Sequence, residues 1–154
     1  MKLRNLVNLP LLNANTAEKL GQIEKVVIGD DYRVLYLLVL SDNDRTCRVS
    51  SDDISIGADA VLIYDRASMK PCADGEELSV YKAKLGDLVF DNQGKELGTV
   101  SDFIIDRDNK EVWGVEISGG IMKDLLDGRS EISLAQLTWA SPVNAVYDQE
   151  GSDQ

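Results

Sequence analysis

Two stretches of the chain carry the same alternation of apolar runs and polar breaks. Residues 20–40 read LGQIEKVVIGDDYRVLYLLVL, and residues 97–117 read LGTVSDFIIDRDNKEVWGVEI. Adding 77 to a position in the first stretch gives its counterpart in the second: Leu20-Gly21 falls on Leu97-Gly98, Ile28 on Ile105, Asp31 on Asp108 and Tyr36 on Trp113. In the first copy Ile23, Val26, Val27 and Ile28 form one apolar run, Gly29-Asp30-Asp31-Tyr32-Arg33 breaks it, and a β-branched, aromatic and leucine run follows over 34–40. In the second, Asp106-Arg107-Asp108-Asn109-Lys110 takes the place of the break. β-branched and aromatic runs around Gly, Asp and Asn predict a β-hairpin in each copy. The Leu-Gly pair before each hairpin marks a bend where one strand passes close to its neighbour.

The repeat continues beyond the hairpins. Residues 118–131 replace the shorter 41–48, an excess of six, and the register then resumes at an offset of 83. Val49 falls on Ile132, Ser50 on Ser133, Ile54 on Leu137, Ile56 on Trp139 and Tyr64-Asp65 on Tyr147-Asp148. One insertion reconciles both offsets, so the chain is a tandem duplication of a small β unit. In the first copy, 6–12 read as its first strand, with Pro10 at an edge or bend. A turn at 13–16, a polar loop at 41–45, a short strand at 46–49, a turn or single helical turn at 50–53, and strands through Ile54, Ile56 and 60–64 follow. In the second copy Leu88-Val89-Phe90 falls on Leu11-Leu12-Asn13. The expected division is a first domain over 1–66, a linker over 67–80, a second domain over 81–148 and a disordered tail over 149–154. Each domain is near the lower size limit, since a domain of about 60 residues buries only about 60% of its unfolded surface.

Two apolar features point outward. The strand 34–40 is apolar on both faces, with Tyr36, Leu38 and Leu40 alternating with Leu35, Leu37 and Val39. Its counterpart has an apolar face of Trp113, Val115 and Ile117 and a more polar one of Val112, Gly114 and Glu116. On the 77 offset, the Trp113 and Tyr36 faces fill the barrels. Leu35, Leu37 and Val39 are then an outward apolar face, covered by the rest of the chain, by a second copy or by another protein. The insertion places Ile121, Met122, Leu125 and Leu126 on one face of a short helix, either lidding the barrel or docking a partner.

Composition narrows the chemistry. The 154 residues carry a net charge of −11, with an isoelectric point near 4.4. A chain without a basic stripe is a poor ligand for a phosphate backbone or an anionic membrane. Asn5 and Asn8 interrupt any secretory apolar core near the start, and no apolar run is long enough for a membrane helix, so the expected location is cytoplasmic. There is no histidine, which removes the commonest general base and zinc ligand. Cys47 and Cys72 alone cannot make a structural zinc site; they show no pattern and read either as free thiols of an intracellular protein, the default, or as one disulfide. Asp102, Asp106, Asp108 and Glu111 gather near the second turn and could offer oxygens to a hard cation. They lack the glycine and distal glutamate of a calcium loop, and the bland reading is a solvated hairpin turn. Gly119-Gly120 lacks the Lys-Ser/Thr of a phosphate loop.

Leu20-Gly21-Gln22-Ile23 with Val26-Val27-Ile28, Leu97-Gly98-Thr99-Val100 with Phe103-Ile104-Ile105-Asp106, and the closing segments 49–64 and 132–147 together resemble the PRC-barrel domain. This is the small barrel of the photosynthetic reaction-centre H subunit and of RimM-type ribosome-maturation factors. The membrane helix of the former and the preceding domain of the latter have no counterpart here, so the closer likeness is to stand-alone bacterial PRC-barrel proteins. The resemblance implies an all-β chain of two tandem barrels of about six strands each, with a short helix inserted in the second. It implies mostly protein-binding roles and supplies no catalytic residues or cofactor. The expected function is a non-enzymatic protein-interaction module, docking a protein partner or a second copy through Leu35, Leu37 and Val39 or through Ile121, Met122, Leu125 and Leu126. The alternative is a small-molecule or divalent-cation binder using the acidic turn near Asp106.

Overall fold

The structure, a computed structural model, describes residues 1–72, 79–119, 129–141 and 144–147. It divides into two compact units, Met1–Val80 with Asp106–Glu111, and Tyr81–Ile105 with Val112–Gln154. The first sheet contains β1 (Pro10–Asn13), β2 (Lys19–Ile28), β3 (Val34–Ser41), β4 (Thr46–Ser50), β5 (Ile54–Ile56), β6 (Val61–Ile63) and β7 (Lys70–Pro71), in the order β5-β6-β1-β2-β3-β4-β7. A short helix α1 (Val80–Lys84) precedes the second sheet. That sheet is formed by β8 (Leu88–Asp91), β9 (Glu96–Asp106), β10 (Glu111–Ser118), β11 (Arg129–Ser133), β12 (Leu137–Ser141) and β13 (Asn144–Tyr147), in the order β11-β10-β9-β8-β13-β12. Apart from β7 the two orders are the same. In both, the first strand pairs in parallel with the last, β1 with β6 and β8 with β13, closing a curled, otherwise antiparallel meander.

The duplication is visible element by element. β3 begins at 34 and β10 at 111, β4 at 46 and β11 at 129, and a 3-10 turn over Ser51–Asp53 is matched by one over Leu134–Gln136. These turns are capped alike, with Ser50 Oγ accepting from the Asp52 amide and Ser133 Oγ from the Ala135 amide. A serine cap satisfies an amide that the first turn leaves unpaired.

Cross-strand register shows which face fills the first barrel. Val39 pairs with Ile23 and Cys47, and Leu37 with Val26 and Val49. Leu11 pairs with Val61, Val61 with Ile56, and Ile54 with Ile63. All the aliphatic residues in this set are buried, and Leu3 and Leu6 are sealed from solvent before β1. Residues 6–8, read as the start of a strand, instead form a turn that continues from the 3-10 turn over Leu3–Asn5, and β1 starts only at Pro10.

The inward face of β3 is therefore the Leu37-Val39 face, and the reading that turned it outward is corrected. The cause is one residue. In the first hairpin the Tyr32 amide donates to the Gly29 carbonyl, and Tyr32 has φ 61°. In the second the Lys110 amide donates back to Asp106, four residues away, and Lys110 has φ 55°. The second turn holds one more residue, so beyond it the counterpart lies 78 positions on, not 77. Val115 faces Ile132 as Leu37 faces Val49. Trp113 consequently occupies the place of Leu35, and Tyr36 is matched by Gly114. A strand has a two-residue period, so a slip of one exchanges its faces. The same slip affects β8, where Val89 faces Gly98 as Leu11 faces Gly21, because the turn from β8 to β9 is one residue shorter than the turn from β1 to β2. It also affects β13, where Tyr147 pairs with Leu137 as Ile63, rather than Tyr64, pairs with Ile54.

Part of the stretch read as a linker belongs to the first sheet, since β7 pairs with β4 through Cys47↔Pro71 and Arg48↔Lys70. The inserted helix expected at 121–126 and the tail lie outside the described residues.

Candidate functional site

The apolar residues expected to dock a partner separate into three groups. Leu37 and Val39 are fully buried in the first barrel's interior. Ile121, Met122, Leu125 and Leu126 lie outside the described residues. Leu35 alone stands at the surface, 46% exposed. Its register counterpart Trp113 is 44% exposed. Each begins the inward-facing row of its strand, Leu35-Leu37-Val39 and Trp113-Val115-Ile117. In each row the second and third side chains are buried and the first emerges at the hairpin end of its barrel. An indole or isobutyl group left half in water adjoining a packed interior is a ready anchor for another apolar surface. Sequence reading missed the Leu35–Trp113 equivalence because it rests on the length of a turn, which no apolar pattern signals.

The acidic residues do not converge as the cation reading requires. Asp106 caps its own turn: Oδ1 accepts from the amides of Asp108 (2.9 Å) and Asn109 (3.2 Å), and Oδ2 from Asn109 Nδ2 (3.2 Å). Within the first unit Glu111 pairs with Arg33 at 3.2 Å, and the Lys110 carbonyl accepts from the Val34 amide. Asp102 lies in β9, away from the turn, and is wholly buried. Among the described residues no group of three His, Cys, Asp or Glu is placed to hold a metal ion.

The second unit instead carries buried carboxylates held by donors. Asp102 Oδ1 accepts from the Tyr81 hydroxyl (2.8 Å) and the Phe103 amide (2.9 Å), and the Tyr81 ring meets Phe103 edge-on at 5.1 Å. Glu116, 1% exposed, accepts from Ser101 Oγ at 2.7 Å. Asp87 accepts from Trp139 Nε1 at 2.9 Å and lies 3.7 Å from Lys84 Nζ, which sits 5.0 Å over the Trp139 ring. Among the described residues every buried side-chain nitrogen and oxygen has a partner. These groups tie α1 and the strands of the second barrel together, because a buried polar group left without a partner is costly. Tyr81→Phe removes a donor from a buried carboxylate and is expected to destabilise the protein by about 1.5–3 kcal/mol. Urea denaturation followed by Trp139 fluorescence measures this; an unchanged midpoint would mean that the hydroxyl is not needed to hold Asp102.

Among the described residues no helix is long and apolar enough to cross a membrane. A comparison with curated proteins gave no match. The family model described as the PRC-barrel domain matches residues 1–70 and 85–140, one segment in each half and most of the chain. With the repeated strand order and the paired Leu-Gly crossings, that match places the chain in the PRC-barrel domain family.

Proposed function

We propose that the protein is a non-enzymatic interaction module that docks another protein through the half-exposed apolar residues at the hairpin ends of its barrels, Leu35 and Trp113. The observation that carries this reading is their equivalence: two copies that diverged in sequence both leave a large apolar side chain in the same half-buried position. The PRC-barrel is a protein-interaction fold, which favours the same reading. The buried carboxylates are tied up in hydrogen bonds within the second unit, consistent with a structural role rather than a reaction.

The partner is a protein surface with an apolar patch, a second copy of the chain being the simplest case. Leu35→Asp with Trp113→Asp is expected to leave the fold intact, because both sites are already half in water, with a stability change of about 1 kcal/mol or less. Native mass spectrometry of the purified complex is expected to show a defined species above the 16.9 kDa chain for wild type and the chain alone for the double variant. A complex of the same mass and abundance in both would reject this surface.

A further inference from the structure

The two sheets differ at one edge. In the first, β7 lies along the outer edge of β4. In the second, β11 takes the place of β4, and among the described residues no strand pairs with its outer edge. The first sheet shows how such an edge is filled. The Cys72 amide donates to the Thr46 carbonyl at 3.2 Å. On the two-residue period of an antiparallel ladder, Arg48↔Lys70 is then the next hydrogen-bonded pair. Pro71, which has no amide hydrogen, takes the unbonded place opposite Cys47. Val115 faces Ile132 as Leu37 faces Val49, so Glu131 holds the place of Arg48. The Glu131 amide and carbonyl therefore point away from β10, as those of Arg48 point away from β3 to meet Lys70.

The side-chain rows that end at these edges carry opposite charge. Cross-strand partners share a face, so Leu38, Arg48 and Lys70 form one row in the first sheet. In the second sheet the same row is Glu116 and Glu131. Glu116 is buried and accepts from Ser101 Oγ at 2.7 Å, whereas Glu131 is exposed. Like charges directly opposite each other are destabilising, and a cation placed beside Glu131 offsets this. A strand with a lysine where β7 has Lys70 thus suits the β11 edge better than the β4 edge, where that lysine meets Arg48. β7 itself is held on its own β4, and its short length, its lysine and its proline blunt that edge of the first sheet.

We infer that the outer edge of β11 is a seat for an extended basic segment of another protein. The segment adds to the second sheet as an antiparallel strand and places a lysine or arginine opposite Glu131. Backbone hydrogen bonds to the edge hold it, and Glu131 selects its charge. The net charge of −11 draws a basic segment to the chain. The seat involves neither Leu35 nor Trp113.

The test is an amide chemical-shift titration of the isotope-labelled full-length chain with the capped peptide Thr-Val-Thr-Lys-Thr-Val-Thr, whose β-branched residues favour an extended strand. Shifts at Glu131 and its strand neighbours Ser130, Ile132 and Ser133, saturating with a Kd of about 1 mM or below, are expected. The same peptide with glutamate in place of lysine is expected to bind at least about fivefold more weakly. Glu131→Lys, at an exposed position, is expected to keep the wild-type spectrum away from β11 and to reverse the preference between the two peptides. No shift along β11 at about 5 mM peptide would overturn the seat. So would shifts confined to Leu35 and Trp113, equal affinity of the two peptides for wild type, or an unreversed preference in Glu131→Lys.

Discussion

Leu37→Asp is expected to unfold the first barrel, whereas Leu35→Asp, two positions earlier, leaves it folded. Leu37 is fully buried between Val26 on β2 and Val49 on β4. Truncating such a leucine to alanine alone costs about 2–5 kcal/mol through lost burial and the cavity left behind. A carboxylate in the same place adds the cost of a polar group removed from water with no donor supplied for it. The sum, about 4 kcal/mol or more, is comparable with the whole stability of a small domain. Leu35 is half exposed, so a carboxylate there remains hydrated and the change is expected to stay below about 1 kcal/mol. Guanidinium denaturation followed by far-ultraviolet circular dichroism measures both. A Leu37→Asp variant with a wild-type midpoint would mean that this row of β3 faces outward after all.

Valine at Gly98, and to a lesser degree at Gly21, is expected to be the next most damaging change. A Cβ on Gly21 would stand 2.5 Å from the Leu40 carbonyl oxygen and 2.8 Å from Val39 Cγ1. A Cβ on Gly98 would collide with the Ser118 carbonyl oxygen, and Gly98 also has φ 154°, which a side chain strains. The obstructing atoms are largely backbone, so β2 and β3, or β9 and β10, would have to separate and lose ladder bonds. Overpacking of this kind costs about 1–3 kcal/mol, and here the backbone gives little relief; about 3 kcal/mol is expected at Gly98. Gly94 provides the contrast, with φ 81° and open space around it. Gly94→Ala carries only the left-handed conformational cost of about 1 kcal/mol. Chemical denaturation of the three variants should rank them Gly98, Gly21, Gly94; equal losses would mean that the close strand crossing is not what requires the first two glycines.

Those glycines show how far a sequence speaks for this fold. The Leu-Gly pairs are local signals, and the crossing they mark is where they stand. The hairpins follow from β-branched runs around acidic turns, and the duplication follows from two offsets joined by one insertion. The direction in which side chains point was harder to read. Asp106 to Lys110 and Gly29 to Arg33 look equivalent, yet the first closes a bond across four residues and the second across three. That residue moves Trp113 from Tyr36's place to Leu35's and exchanges the faces of the strand. The local pattern could not reveal this, because β3 is apolar on both sides. Asp102 and Glu116 look like surface residues, and their burial goes with donors that the sequence does not announce, the Tyr81 hydroxyl and Phe103 amide for Asp102 and the Ser101 hydroxyl for Glu116. β7 adds to β4 unannounced, because a pair as short as Lys70–Pro71 carries no strand signal of its own.

The most direct test of docking at Leu35 and Trp113 is site-specific photo-cross-linking in cells, with p-benzoylphenylalanine at position 35, at position 113 and, as a control, at exposed Lys95. Cross-linking to one discrete protein species from positions 35 and 113 but not from 95, identified by mass spectrometry as a second copy or as a single other protein, is the expected result. No adduct from either position, or the same adducts from position 95, would contradict it.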